Sequence, residues 1–185
     1  MSVDLIYARQ GQTPDAWASE LSRAIDLTAD HLSLYQLTIE PGTRFFTREK
    51  LGEALTVEEE MGAALYEATQ DRLGALGLPA YEISNHARPG AESRHNLAYW
   101  RYQDYVGIGP GAHGRETRKG QKIATVRHRL PERWLTGAET AGPALADTER
   151  LDAERQYRAI LLTGLRLAEW RPEDPFKTPA GPGAD

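Results

Sequence analysis

The run Arg94-His95-Asn96-Leu97-Ala98-Tyr99-Trp100 is followed closely by Gly107-Ile108-Gly109-Pro110-Gly111-Ala112-His113-Gly114. An imidazole, a carboxamide and two amphipathic aromatics, then a glycine-punctuated loop with a second imidazole, are the materials of a ligand site. Aromatic rings offer flat apolar area, histidine ligates a metal or carries a proton, and glycine lets backbone approach a bulky ligand closely. The partner to expect is large and planar, or metal-bearing. If the first segment is extended, His95, Leu97 and Tyr99 face one side; if it is helical, His95 and Tyr99 share a face at i, i+4. Both geometries bring His95 and Tyr99 together. On chemistry alone, a satisfied interior histidine beside packed aromatics competes evenly with a ligand role. The glycine run is no phosphate loop, having neither a Walker Lys-Ser/Thr nor a strand-first dinucleotide pattern with a downstream acid, and many such runs are only tight turns.

Other polar groups are weaker candidates. Asp4 opens a strand-like run, and Thr38 with Glu40 lies just past a second one, so both are expected at matching strand ends, where an α/β barrel places its site. A strand-entry aspartate that satisfies local amides is the commoner case. His86 reads as a lone imidazole in a surface loop, and Arg88 and Arg94 could fork onto carboxylates, although solvated arginines are more frequent.

These groups need elements to hold them. Val3 to Tyr7 reads as a buried strand, and Thr13-Pro14-Asp15 supplies an N-cap, a proline at the first helical position and an early acid. Trp17, Leu21, Ala24 and Ile25 then fall on one helical face, and 32–37 returns as a strand. The unit favours parallel pairing with a right-handed crossover. Residues 44–54 read as polar connection. Thr56-Val57-Glu58-Glu59 fits a capping box for a helix with an apolar stripe of Met61, Leu65, Ala68 and Leu73. A short strand over 80–84, a loop over 85–93, a strand over 123–128, a helical turn over 131–135 and a helix over 147–168 complete the reading. No internal repeat is present.

The 185 residues suffice for a sizeable core, as one large domain or parts of two. With 22 basic against 27 acidic residues and no Lys/Arg block, nucleic acid is not an expected partner. No secretory signal and no apolar run near the ~18 residues of a membrane span are seen, so a cytoplasmic location without a transmembrane segment is expected. The absence of cysteine excludes disulfides, thiolate zinc sites and the usual ligands of an iron–sulfur cluster within this polypeptide.

Asp4-Leu5-Ile6-Tyr7, Gly11-Gln12-Thr13, 31–43 (HLSLYQLTIEPGT), Tyr81-Glu82-Ile83-Ser84-Asn85, the His95 segment and 107–113 together resemble the HemW heme chaperones. These are radical S-adenosylmethionine proteins related to oxygen-independent coproporphyrinogen III oxidase. The resemblance covers roughly Val3 to Leu135. It implies an α/β fold: the terminal part of a radical SAM partial (β/α) barrel, followed by a small α+β C-terminal region. On that division 1–43 are the last strand–helix–strand units, 44–170 the HemW-type C-terminal region and 171–185 a disordered tail. Asp4, Thr38 and His113 correspond to S-adenosylmethionine contacts. His95, Asn96, Tyr99 and Trp100 match the heme-binding motif, with His95 as the ligand to heme iron and Asn96 offering a hydrogen bond to fix its tautomer.

The implied function is heme binding and delivery to a heme-accepting protein, with S-adenosylmethionine and a [4Fe–4S] cluster needed in the full-length family. An oxidase-type enzyme of porphyrin biosynthesis and an inactive remnant are the alternatives. No catalytic residue is assigned. The family's three-cysteine motif is missing, so truncation at both ends and self-association through an open barrel edge are expected. Two departures stand out. Ala8-Arg9-Gln10 replaces the family's usual Gly-Leu-Pro, and after Gly164 to Glu169 the run Trp170-Arg171-Pro172 leaves the family pattern.

Overall fold

The computed structural model describes residues 2–27, 30–142 and 144–169. The expected departure at 170–172 and the tail at 171–185 lie outside the described residues. The chain divides into two compact units, one up to Ser93 and one from Arg94 on.

In the first unit, β1 (Ser2–Tyr7), α1 (Pro14–Leu27) and β2 (His31–Gln36) form the expected strand–helix–strand unit. β1 and β2 are parallel, from Ser2 opposite His31 to Tyr7 opposite Gln36. The Thr13 hydroxyl accepts from Ala16 N at 3.2 Å, which caps α1 as its sequence predicts. Alternation along the strands sends Val3, Leu5, Tyr7, Leu32 and Leu34 to the core, where they meet Trp17, Leu21 and Ala24. Trp17 stacks on Tyr7 with ring centroids 5.3 Å apart, and its indole N–H donates to Thr69 Oγ1 at 2.8 Å. The opposite strand face carries Ser2, Asp4 and Ile6 beside His31, Ser33 and Tyr35.

Several local expectations are corrected. The stretch taken as polar connection contains α2 (Arg44–Lys50), capped by the Thr43 hydroxyl accepting from Phe46 N at 3.2 Å. α3 (Glu59–Ala75) does not start on a Thr56 capping box, because Thr56 is held in a backbone bridge with Arg9 and Glu58 takes the cap position. Its buried stripe is Gly62, Leu65, Thr69 and Leu73, not Met61 and Ala68. Thr69 is buried at no cost in unmet hydrogen bonds, since it accepts from Trp17 and donates to Leu65 O at 2.6 Å. The loop expected from residue 85 begins as a strand: β3 (Ala80–Glu82) and β4 (Asn85–Ala87) form a hairpin, and β4 joins β2 antiparallel, giving the order β1-β2-β4-β3.

That pairing overturns the surface reading of His86, which is 1% exposed and faces the core opposite Leu32. Its Nδ1 lies 3.3 Å from the Leu78 carbonyl, which can only accept, so Nδ1 carries the proton. Burial pulls the His86 pKa below its ordinary 6.5.

At the departure Ala8-Arg9-Gln10, Ala8 has φ +61, the left-handed conformation that glycine adopts freely. The backbone geometry of a glycine is kept without the glycine. Arg9 turns outward, its Nη2 donating to both carboxylate oxygens of Glu20 at 2.5 and 2.6 Å.

The second unit contains α4 (Arg94–Trp100), β5 (His113–Arg118), β6 (Gln121–Arg127), α5 (Pro131–Ala141), β7 (Leu145–Arg150) and α6 (Ala153–Gly164). β5, β6 and β7 form an antiparallel meander. The helical turn at 131–135 extends to Ala141, and the long helix expected from Asp147 is instead β7 followed by α6. Cross-strand pairing of 145–150 with β6 overrides the helix preference of its Ala, Glu and Arg residues. Asp152 then caps α6, accepting from Arg155 N at 2.8 Å.

Candidate functional site: the aromatic row on α4

The His95 segment takes the helical alternative. His95 and Tyr99 share a face of α4, with ring centroids 4.7 Å apart and an edge-on angle of 79°. Tyr99 in turn leans on Tyr105, centroids 4.3 Å apart. His95 is exposed, and its imidazole makes no hydrogen bond among the described residues. The expected tautomer-fixing bond from Asn96 is therefore absent, for neighbouring residues on a helix do not face each other. Asn96, Tyr99 and Trp100 are half-buried.

α4 ends in a left-handed residue. Gln103 N donates to Ala98 O at 2.9 Å and Tyr102 N to Tyr99 O at 3.0 Å, the bond pair of a Schellman stop, with Tyr102 at φ +54. Glycine usually fills that position; here the tyrosine is held by Lys122, whose ammonium sits 4.7 Å from the ring centroid and donates to Tyr102 O at 3.2 Å. Lys122 also pairs with Asp104. Burial alone would raise the Asp104 carboxyl, but hydrogen bonds from Lys122 and from the Thr117 amide and hydroxyl outweigh it and hold the pKa below its ordinary 3.8. Trp100 lies under the Arg166 guanidinium at 4.4 Å, and its buried indole N–H has no hydrogen-bond partner among the described residues.

The glycine run is needed for close contacts of the chain with itself. A Cβ on Gly107 would lie 2.3 Å from His113 O, and one on Gly114 would lie 2.5 Å from Thr125 Oγ1. The space that glycine leaves is filled by the chain itself. Gly111 (φ +71) turns the loop, donating its N–H to His128 O at 2.8 Å.

Of the other predicted site residues, Asp4 stands exposed in the middle of β1, not at its end. It is level with Ser33, so Thr38 lies well past it along the β2 direction and the two are not at matching positions. Thr38 is exposed, its hydroxyl 3.5 Å from Glu40 Oε1. His113 is exposed at the start of β5 in the second unit. Two participants escaped the sequence: Tyr105, which extends the aromatic row, and Arg115, which exchanges both backbone hydrogen bonds with it at 2.7 and 2.9 Å. Nothing in local spacing signals that bridge.

An exposed imidazole edge-on to Tyr99, with no hydrogen bond among the described residues, is the kind of nitrogen donor that heme iron would take. An iron–sulfur cluster does not fit: the chain has no cysteine, and the described residues hold no group of three or more His, Cys, Asp or Glu side chains. No helix among the described residues is long and apolar enough to cross a membrane.

No family model matches the chain. It is 35% identical over 173 residues to "Radical S-adenosyl methionine domain-containing protein 1, mitochondrial" of Danio rerio, covering 91% of this chain and 39% of that protein. "Heme chaperone HemW" of Bacillus subtilis is 33% identical over 167 residues, 90% of this chain and 43% of its own length. HemW of Escherichia coli is 37% identical over 137 residues, 74% of this chain and 35% of its own. The fold matches a solved structure, coproporphyrinogen III oxidase (HemN) of E. coli, described as a radical SAM enzyme, with TM-score 0.68 and 21% identity over 90% of this chain and 40% of that one. The chain thus spans about two fifths of the length of these proteins.

Proposed function

Because the chain belongs with the HemW heme chaperones and radical S-adenosyl methionine domain-containing protein 1, we propose that it carries the heme-binding part of such a protein and holds heme for delivery to a heme-accepting protein. The observation that carries this reading is the exposed His95 imidazole, unbonded and edge-on to Tyr99 at 4.7 Å. Heme, when bound, would supply an iron that takes an imidazole nitrogen. His95 supplies that nitrogen, Tyr99 and Tyr105 supply apolar ring area beside it, and Trp100 stiffens the end of α4 against Arg166. Asp4, Thr38 and His113 are S-adenosylmethionine contacts on the same proposal. No step is derived through a [4Fe–4S] cluster, whose ligands this sequence does not contain. A cytoplasmic location and self-association through the open edge of β1 belong to the reading too; tagged-protein microscopy and sedimentation test them.

Titration of heme into the parent and into His95→Ala, His113→Ala, His86→Ala and His128→Ala variants tests the assignment. His95→Ala is expected to weaken retention and shift the Soret band, with the others close to parent and circular dichroism excluding unfolding. An unchanged spectrum in His95→Ala together with loss in His113→Ala would transfer the ligand role to His113. The second reading, oxidase-type decarboxylation of coproporphyrinogen, has the shared fold in its favour. It requires turnover when a cluster-bearing polypeptide is added.

A further inference from the structure

Among the described residues of the second unit, Arg115 is a half-buried cation that no acid pairs. Arg115 is half-buried, and among the described residues its guanidinium makes a single hydrogen bond, Nη1 to the Gly114 carbonyl at 2.9 Å. A guanidinium has five N–H donors in a fixed fork, and removing it from water without an acid is unfavourable. The acids nearby are committed elsewhere: Asp104 to Lys122 and Thr117, Glu116 to Arg118 at 2.9 Å. No carboxylate among the unit's described residues pairs with Arg115.

Its position is set by the backbone. Tyr105 and Arg115 exchange both hydrogen bonds of an antiparallel bridge, at 2.7 and 2.9 Å, which puts their side chains on the same face. Tyr105 touches Tyr99, and Tyr99 touches His95, at 4.3 and 4.7 Å between centroids. The four side chains therefore form a row of imidazole, phenol, phenol and guanidinium. A metalloporphyrin has the same order of chemistry from centre to edge: a metal that wants nitrogen, a flat apolar ring, and a carboxylate that wants a forked donor.

We infer that Arg115 is the anchor for a carboxylate of the porphyrin that His95 ligates, an assignment that rests on the heme reading above. Three other arginines of the unit are less suited. Arg166 lies on Trp100, Arg127 Nε is bonded to Gly107 O at 2.9 Å, and Arg94, though exposed, is adjacent to His95 on the helix and so turned to another face.

The test compares heme with heme dimethyl ester, which keeps the iron and ring but loses the carboxylate charges. Both are titrated by absorbance into the parent, Arg115→Gln, Arg115→Lys and, as a surface-charge control, Arg94→Gln. The parent should bind heme about 10-fold more tightly than the ester, Arg115→Gln should lose that preference while binding the ester as the parent does, and Arg94→Gln should keep it. Arg115→Lys, which keeps the charge without the fork, should fall between. An equal loss for both porphyrins in Arg115→Gln, or no loss for either, overturns the anchor and leaves heme binding standing. If Arg115→Gln fails to fold, the parent decides: equal affinity for the two porphyrins overturns the inference. A parent that takes up neither porphyrin overturns the heme reading and the anchor with it.

Discussion

The first unit fully buries Trp17, Leu21, Leu32, Leu65, Leu73 and Leu78, whereas among the described residues of the second unit only Thr125 is comparably buried. The second unit's buried apolar groups are smaller or less enclosed: Ala124, Ala144, Leu151 and Leu167. One region is held by an apolar core between a sheet and helices. The other is held by strand ladders, glycine-permitted backbone contacts and a lysine pinned to a tyrosine ring, while Tyr99, Trp100, Tyr102 and Tyr105 stay half-buried. The difference has a functional sense. A ring packed on all sides is spent on stability, and a half-buried ring still has a face to give a ligand.

The largest expected effect tests where the apolar core lies. Leu65→Ala should cost the first unit about 3 kcal/mol, and Leu151→Ala in the second unit less than about 2 kcal/mol. Hydrogen exchange at the amides of α3 and β6 reads each unit separately. Equal losses would erase the contrast between the two cores. Gly107→Ala should destabilise the second unit by about 2–3 kcal/mol, because its Cβ would meet backbone. Gly74→Ala, in α3 with open space around the new methyl group, should instead stabilise the first unit by about 0.5 kcal/mol. If both glycines tolerate alanine, close backbone approach is not what holds the second unit.

Acid should separate the units as well. Burial lowers the pKa of His86 in the folded first unit, and that of His31 likewise, so on acidification the unfolded chain takes up protons that the folded one refuses. Stability tied to these groups is complete above the ordinary value of 6.5 and declines below it, by up to about 1.4 kcal/mol per pH unit for each proton. Asp104 has the opposite charge type but also a lowered folded pKa. Its contribution is present above the ordinary 3.8 and is lost as pH falls further, through the folded value. Exchange protection in β4 should therefore fade between pH 6.5 and 5, ahead of protection in β5, and a His86→Leu variant should show a flatter decline. Simultaneous loss in both units would refute this order.

The smallest effect concerns two of the left-handed positions, Ala8 and Tyr102. At Ala8, glycine relieves about 1–2 kcal/mol of backbone strain but forfeits about 0.8 kcal/mol of methyl burial and about 0.5 kcal/mol of chain entropy, leaving a net change of less than about 1 kcal/mol. Tyr102→Gly removes the ring beneath Lys122 and should be clearly worse. Thermal melts of the two variants compare them directly.

Local grammar settled the first unit's frame. The Thr13 cap, the Pro14 start and the Trp17–Leu21–Ala24 face fixed α1, and two short apolar runs separated by a helix left parallel pairing as the ready solution for β1 and β2. The shared face of His95 and Tyr99 also followed from spacing, since extended and helical backbones both produce it. Asn85–Ala87 and 145–150 were misread because their structure comes from partners distant in sequence. β4 exists by pairing with β2, and β7 by pairing with β6, and neither partnership leaves a periodic trace in the segment itself.

By itself, then, the sequence determined the strand–helix–strand unit, the cysteine-free chemistry, the imidazole–aromatic face of α4 and the kinship with the heme chaperones. These depend on residue type and on neighbours within a few positions. Only the tertiary structure decided that His86 is a buried neutral group, that Gly107 makes room for backbone and Gly114 for the Thr125 hydroxyl, and that Arg115 stands across from Tyr105 at the end of the aromatic row. Each of those outcomes depends on which strands meet and in what register, a choice made by the free energy of the whole unit rather than by any one stretch of chain.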